Sequence, residues 1–224
     1  MAKKIQLIIG NKNYSSWSLR PWILLKHFRI PFDEIFVPLY EGDFKKKLLK
    51  YSPNGKVPAL VHGDVRVWES VAICEYAADL YPKKTLWPLK KADRAWARSI
   101  SHEMHAGFFK LRKNMPMNIR GSYPGKGMTP EVEQDIARVV AIWTECRTKF
   151  KKKGPFLFGH FTVADAMFAP VVTRFRTYGV ATDGLAADYV KTMLELPAFK
   201  EWEAAGIKEP WVIKASEIYN PKYK

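Results

Sequence analysis

Residues 56–81, KVPALVHGDVRVWESVAICEYAADLY, constrain the fold of this chain more than any other stretch. Val57 to Val61 is a short apolar run that begins beside a proline. His62-Gly63-Asp64 reads as a tight turn, with Gly63 free to take positive φ. Val65 to Trp68 alternates and is β-branched, as a half-buried strand should be. Glu69-Ser70 then opens a helix in which Ala72, Ile73, Tyr76, Ala77 and Leu80 recur at helical spacing. Pro58 has no N–H for a sheet ladder, so it marks the first residue of its strand or a sheet edge, and the peptide groups of Val57 stay available to something else. Glu69 and Ser70 occupy a helix start, where unpaired N–H groups and the helix dipole favour an anion. Taken alone, a hairpin proline and an ordinary helix cap would account for the same residues.

The segments on either side extend this reading. Ile5 to Ile9 is a first strand, followed by a polar loop over residues 10–16. Ser18 is the expected cap of the next helix, with Pro21 in its first turn, where a missing N–H costs nothing. Leu19, Trp22, Ile23, Leu25 and Phe28 make that helix apolar on most sides. Asp33 to Leu39 is a second strand, and a helical crossover from the first implies a parallel pair. Tyr40 to Tyr51 is an irregular helical connection. Residues 1–82 therefore form an α/β domain, residues 83–90 a proline- and lysine-rich linker, and residues 91–224 an all-helical domain. In the latter, one long helix carries Trp96, Ile100, Met104, Gly107, Phe108, Leu111 and Met115 on one stripe, and His102, His105, Phe109 and Arg112 on the other side. A second long helix is striped by Val132, Ile136, Val139, Trp143, Cys146 and Phe150. Thr162-Val163-Ala164-Asp165 is a capping box that opens an apolar central helix through Phe168, Val171, Val172 and Phe175. Arg174 and Arg176 follow its apolar part and are assigned no role. Weaker helices cover 185–196 and 197–205.

Composition narrows the function classes. No apolar run approaches the roughly 20 residues of a membrane helix, and Ile5–Ile9 is too short for a signal-peptide core. The two cysteines, Cys74 and Cys146, lie far apart on apolar helical patterns. Buried free thiols in a reducing cytoplasm are expected, with no disulfide and no metal site. The 37 Lys and Arg against 22 Asp and Glu, net +15, would suit a nucleic-acid binder. The basic residues are scattered in short clusters, however, and no nucleic-acid motif accompanies them. Specific nucleic-acid binding and membrane partners are therefore not expected.

The order of these features resembles the cytosolic glutathione S-transferase family, with a thioredoxin-like N-terminal domain and an all-α C-terminal domain. The Val57-Pro58 pair, the hairpin and Glu69-Ser70 are similar to that family's glutathione site. Phe161-Thr162-Val163-Ala164-Asp165 is similar to its buried capping box. The resemblance implies that glutathione is the co-substrate. Val57 would pair through its backbone with the cysteinyl part, ahead of a cis Pro58. Glu69 and Ser70 would hold the γ-glutamyl group, and Lys56 would meet the glycyl carboxylate. Tyr14-Ser15-Ser16-Trp17-Ser18-Leu19-Arg20 resembles the serine-using, zeta-type branch, except that Trp17 stands where that branch usually carries a cysteine. Ser15 is then the expected thiol activator, Ser16 second and Tyr14 a rival.

The chemistry has a physical requirement. A free thiol with a pKa of about 8.5 is mostly protonated at neutral pH. A hydroxyl donating to the thiolate near a helix N-terminus favours the charged form. His105, Phe109 and Arg112 would line the pocket for a small electrophile, unless that stripe simply faces solvent. The resemblance further implies a homodimer acting in detoxification, and the positive charge would attract anionic glutathione. Two other readings remain open at this level: a glutathione-dependent isomerase of the maleylacetoacetate type, and a non-catalytic transferase-like interaction module.

Overall fold

The computed structural model describes residues 4–223. Its first part is a four-stranded sheet in the order β2-β1-β3-β4, built from β1 (Ile5–Ile9), β2 (Asp33–Phe36), β3 (Ala59–His62) and β4 (Val65–Trp68). The β1–β2 pair is parallel, joined by the crossover helix α1 (Ser16–His27), as its length requires. The β1–β3 and β3–β4 pairs are antiparallel. Helix α2 (Phe44–Leu49) lies in the connection to β3, and α3 (Ser70–Leu80) follows the hairpin. After α3 the elements are helical: α4 (Lys91–Ala106), α5 (Phe109–Asn114), α6 (Pro130–Phe150), α7 (Val163–Tyr178), α8 (Gly184–Glu195) and α9 (Pro197–Lys208). No helix among the described residues is long and apolar enough to cross a membrane.

Four local expectations are corrected. The second strand stops at Phe36 rather than Leu39, because its only partner, β1, ends at Ile9 opposite Phe36. Residues 57 and 58 precede β3 instead of beginning it. Pairing starts at Ala59, and β3 is an interior strand, so Pro58 is just outside a ladder it could not join. The first helix starts at Ser16 with Ser15 as its cap, not Ser18. Pro21 therefore falls inside the helix, and the Trp17 carbonyl loses its helical donor.

The fourth correction concerns the long helix expected across residues 96–115. It is broken into α4 and α5 at Gly107-Phe108, where Phe108 adopts φ 55°. A Cβ on Gly107 would meet the Glu103 carbonyl at 2.8 Å. Glycine thus permits the break, which turns the Phe108 side chain into the core. His102, His105, Phe109 and Arg112 consequently do not share one face of one helix.

Helix α7 is the centre of the packing. Every residue from Val163 to Tyr178 except Arg176 is buried. Helix α1 crosses onto it from the sheet, and α4 and α8 flank it. A helix start this deep in the core cannot leave its N–H groups to water. The Asp165 carboxylate resolves this: one oxygen accepts from the Thr162 N–H at 2.8 Å and from the Thr162 hydroxyl at 3.1 Å, and the other accepts from the Leu157 N–H at 3.0 Å. Asp165→Ala would strand two buried N–H groups. It is expected to lower unfolding free energy by about 3 kcal/mol, measured as a shift in urea midpoint without change in slope.

At the far end of α1, His27 stacks on Phe161 with ring centroids 4.2 Å apart. Burial, and then the neighbouring His160, hold the His27 imidazole below its ordinary value of 6.5. The unfolded chain therefore takes up this proton before the folded chain does. The stability contributed by neutral His27 is complete above its unfolded value and is lost as pH falls through its folded value. Melting temperature should drop between about pH 7.5 and pH 5, and His27→Phe should flatten part of that drop. A His27 ring proton titrating above 6.5 by NMR would refute the assignment.

Candidate active site

The loop after β1, read as simply polar, is mostly buried. Asn11 and Asn13 have no solvent exposure. The Asn11 side-chain oxygen accepts from the Leu39 N–H at 2.8 Å. Asn13 reaches the helical half: its amide nitrogen donates to the Asn118 side chain at 3.1 Å, and its side-chain oxygen accepts from the Arg120 N–H at 2.9 Å. The Glu209 carboxylate receives the N–H groups of Lys12 and Asn13. The segment is thus held from both parts of the molecule before α1 begins.

Ser15 is buried and serves as the α1 cap, accepting from the Ser18 N–H at 3.2 Å. Ser15 and Ser18 hydroxyls lie 2.8 Å apart, and Ser18 Oγ also accepts from the Gly10 N–H. Ser16 is the first residue of the helix. Tyr14 is differently placed. Its hydroxyl donates to Glu217 at 2.5 Å and accepts from Arg120 at 2.8 Å. Burial and the Glu217 hydrogen bond push its pKa above 10.0. Its proton is therefore committed to the C-terminal tail, while the residue still lines the larger cavity beside the serines.

Two adjoining cavities open at this helix start. The larger, about 430 Å³, is lined by Ser15, Ser16 and Trp17 from the loop, by Arg112 and Arg174 from the helical half, and by Ile213 from the tail, among others. The smaller, about 140 Å³, is lined by Trp17, Asn54, Lys56, Val57, Pro58 and Glu69. Trp17, Lys56 and Val57 border both. The Val57-Pro58 peptide is cis. Asn54 shapes this rim by accepting from the Lys56 N–H at 2.9 Å and the Ser52 hydroxyl at 2.6 Å.

Glu69 takes φ 71° immediately before α3, an unusual conformation for a residue with a side chain. Ser70 behind it is fully buried, and its hydroxyl has no hydrogen-bond partner. An orphaned buried hydroxyl at a helix N-terminus is a polar group awaiting a partner. His105 approaches Glu69, Nε2 to Oε2 3.7 Å, and meets the Trp17 ring edge-on at 5.3 Å. Burial, then Arg20, keeps the His105 imidazole below 6.5. That contact is therefore largely one of a neutral ring near neutral pH.

Of the residues expected to form the site, Ser15, Ser16, Lys56, Val57, Pro58, Glu69 and Arg112 border the two cavities. Ser70 and His105 lie against that set. Phe109 does not join it: the ring is 61% exposed and points away on α5, with Lys113 over it. Sequence reasoning gave Asn54 only a place in a turn, and it took Arg20 only as the last position of a motif and Trp17 as a departure from it. Arg20 is buried on α1, donates from Nε to the Met167 carbonyl at 3.1 Å, and lies 4.4 Å from the Trp17 ring. Its burial had a second signal, a lone arginine in an apolar helix, which needs a reason to be buried.

Comparison with known proteins agrees with this geometry. Residues 14–80 match the family model "Glutathione S-transferase, N-terminal domain" and residues 129–205 the model "Glutathione S-transferase, C-terminal domain". The chain is 27% identical over 195 residues to glutathione S-transferase GstB of Escherichia coli, covering 78% of this chain and 85% of that protein. It is 25% identical over 157 residues to a stringent starvation protein A homolog of Coxiella burnetii, covering 68% and 71%. A glutathione transferase homolog from Burkholderia, solved with bound glutathione, superposes with a TM-score of 0.69 at 21% identity, covering 92% of this chain and 99% of that one. The sheet order, the helical second half and the two matched domain models together place this chain in the glutathione S-transferase family.

Proposed function

We propose that the protein is a glutathione transferase that ionises the glutathione thiol with Ser15 and directs it at a small electrophile. The observation that carries this reading is the Ser70 hydroxyl, buried and unpartnered next to Glu69, which lines the smaller cavity together with Lys56 and Val57. These groups suit a γ-glutamyl peptide. Glu69 and Ser70 would meet its α-amino and α-carboxylate groups, the Val57 backbone its cysteinyl amide, and Lys56 its glycyl carboxylate.

Ser15 suits the activating role for a reason the pattern of serines did not reveal. Its oxygen accepts from the Ser18 N–H, and its hydrogen, which donates to Ser18 Oγ in the free protein, can turn to the sulfur while the Ser18 hydroxyl donates back. A thiolate is a stronger acceptor than a neutral hydroxyl, so that rotation is favoured. Donation from Ser18 polarises Ser15 further. Ser18 is then a positioning residue, and Ser16, with no hydrogen bond from its hydroxyl among the described residues, is second in line. The edge strand β4 leaves Val65 and Trp68 exposed, which supports a homodimer. Buried free Cys74 and Cys146 support a reducing, cytoplasmic setting. Neither the isomerase reading nor that of a non-catalytic module gains a specific observation.

Thiolate absorbance followed against pH tests the mechanism. Bound glutathione should ionise one to two units below the free-thiol value of about 8.5. Ser15→Ala should bind glutathione and lose most of that shift, with Ser18→Ala intermediate. An unchanged shift in Ser15→Ala with loss in Ser16→Ala would move the role to Ser16. Failure of the wild-type protein to bind glutathione would end the transferase reading.

A further inference from the structure

Helix α2 gives one rim of the larger cavity an excess of positive charge. Residues 40–56 hold five lysines, Lys45, Lys46, Lys47, Lys50 and Lys56, against two acids, Glu41 and Asp43, a local net of +3. All seven residues are exposed. None of the five lysines forms an ion pair among the described residues. On the tail, Lys214 is exposed between Ile213 and Ala215, which line the same cavity. No Asp or Glu among the described residues lines it.

Apolar side chains stand in the same place. Tyr40 is 70% exposed and Leu49 50%. Tyr40 takes φ 64°, a conformation that is costly for a bulky side chain, and its ring packs on Phe44 with centroids 5.3 Å apart. A Cβ on Gly55 would meet Leu49 at 3.3 Å and Lys45 at 3.6 Å, so these two cover Gly55. Tyr40, Phe44, Gly55 and Lys56 all line the cavity. Within α2 only Phe44 and Leu48 turn inward; the rest of the helix, three lysines and one leucine, is exposed.

Two kinds of polyanion would answer such a charge. Single-stranded nucleic acid is held in a basic groove whose aromatic faces stack on bases. Here the surface is an outward-facing helix, and Leu49 offers no ring for stacking. An anionic lipid surface uses both components. Lysines near the headgroups are attracted electrostatically, and aliphatic and aromatic side chains enter the boundary between headgroups and acyl chains. A tyrosine, with an apolar ring and a polar tip, suits that boundary, and lysine stems reach past an apolar neighbour to keep their charge at the headgroups.

We propose that this face, α2 with the exposed Tyr40 and Leu49, docks on anionic phospholipid membranes. The contact is peripheral, since no helix among the described residues is long and apolar enough to cross a membrane. For this face it replaces the expectation that membranes are not partners. Because Tyr40 and Phe44 line the larger cavity, docking turns the cavity mouth toward the lipid. An apolar electrophile dissolved there then has a route to Ser15. That last consequence rests on the transferase reading above, while the docking does not.

Cosedimentation with vesicles, in the absence of glutathione, tests the docking. Vesicles of equal parts phosphatidylserine and phosphatidylcholine should bind the protein at least about tenfold more tightly than phosphatidylcholine alone. Lys45→Glu/Lys46→Glu/Lys47→Glu should lose at least about tenfold of that affinity. Lys151→Glu/Lys152→Glu/Lys153→Glu makes the same change of net charge on the exposed turn after α6, and should lose less than about twofold. A solvatochromic dye on Leu49→Cys, with Cys74 and Cys146 buried, should shift to the blue on the anionic vesicles. Equal losses in the two triple variants overturn the proposal, as does equal binding to the two kinds of vesicle or a dye that does not shift. Retention of polyuridylate that is lost in the α2 variant, with vesicles left unbound, overturns it in favour of nucleic acid.

Discussion

The cap on α7 is the constraint to which the rest of the structure answers. A helix buried along nearly its whole length has no solvent to satisfy its first N–H groups, so a carboxylate must be buried with it. The cost is apparent in Asp165, whose pKa burial raises to about 6 despite the N–H donors of Leu157 and Thr162. Once that start is secured, α7 offers apolar surface to α1 on one side and to α4 and α8 on others. The sheet is joined to the helical half chiefly through α1, so the position of the loop before α1 depends indirectly on a cap far along the chain.

That dependence explains why the loop is so heavily bonded. It leaves the sheet at Ile9 and must deliver Ser15 to the helix start in one geometry. Hydrogen bonds with Asn118, Arg120, Glu209 and Glu217 all fall on the three residues Lys12, Asn13 and Tyr14. The tail is part of this clamp: Glu217 is buried and also receives the Tyr123 hydroxyl at 3.1 Å. A serine on a free polar loop would spend little time aimed at one point, whereas here its orientation is set by its neighbours.

Beside the serines, Trp17 organises a different kind of chemistry. Its ring face accepts cationic groups and its edges pack against His105 and the cavity wall. Where the serine-using branch that this loop resembles usually has cysteine, the indole here offers a platform. The Arg112 and Arg20 guanidinium groups gather on that platform, and Arg112 with Lys56 and Arg174 gives the cavity its positive sign. The formal +15 of the chain is mostly spread over the surface, but part of it is concentrated where a substrate would sit.

Local pattern was enough for much of this. Period-two and helical spacing identified the sheet, the hairpin, α3 and the central helix, because burial of one face writes its period into the residues. Thr162 and Asp165 were readable because a cap is a contact between near neighbours in the chain, as was the glutathione-like order of Val57, Pro58, Glu69 and Ser70. The start of α1, the break at Gly107-Phe108, the engagement of Tyr14 by Glu217 and the meeting of Arg20, Arg112 and Arg174 were not readable. The first two turn on which local option packs better, and the last two join residues about 60 to more than 200 positions apart. The amino-acid order by itself determined which elements form and which residues lie at their ends, since those depend on local backbone and side-chain chemistry. Only the tertiary structure decided which serine caps, which arginines share a cavity and where the tail lies, because those depend on contacts between segments that the chain order keeps apart.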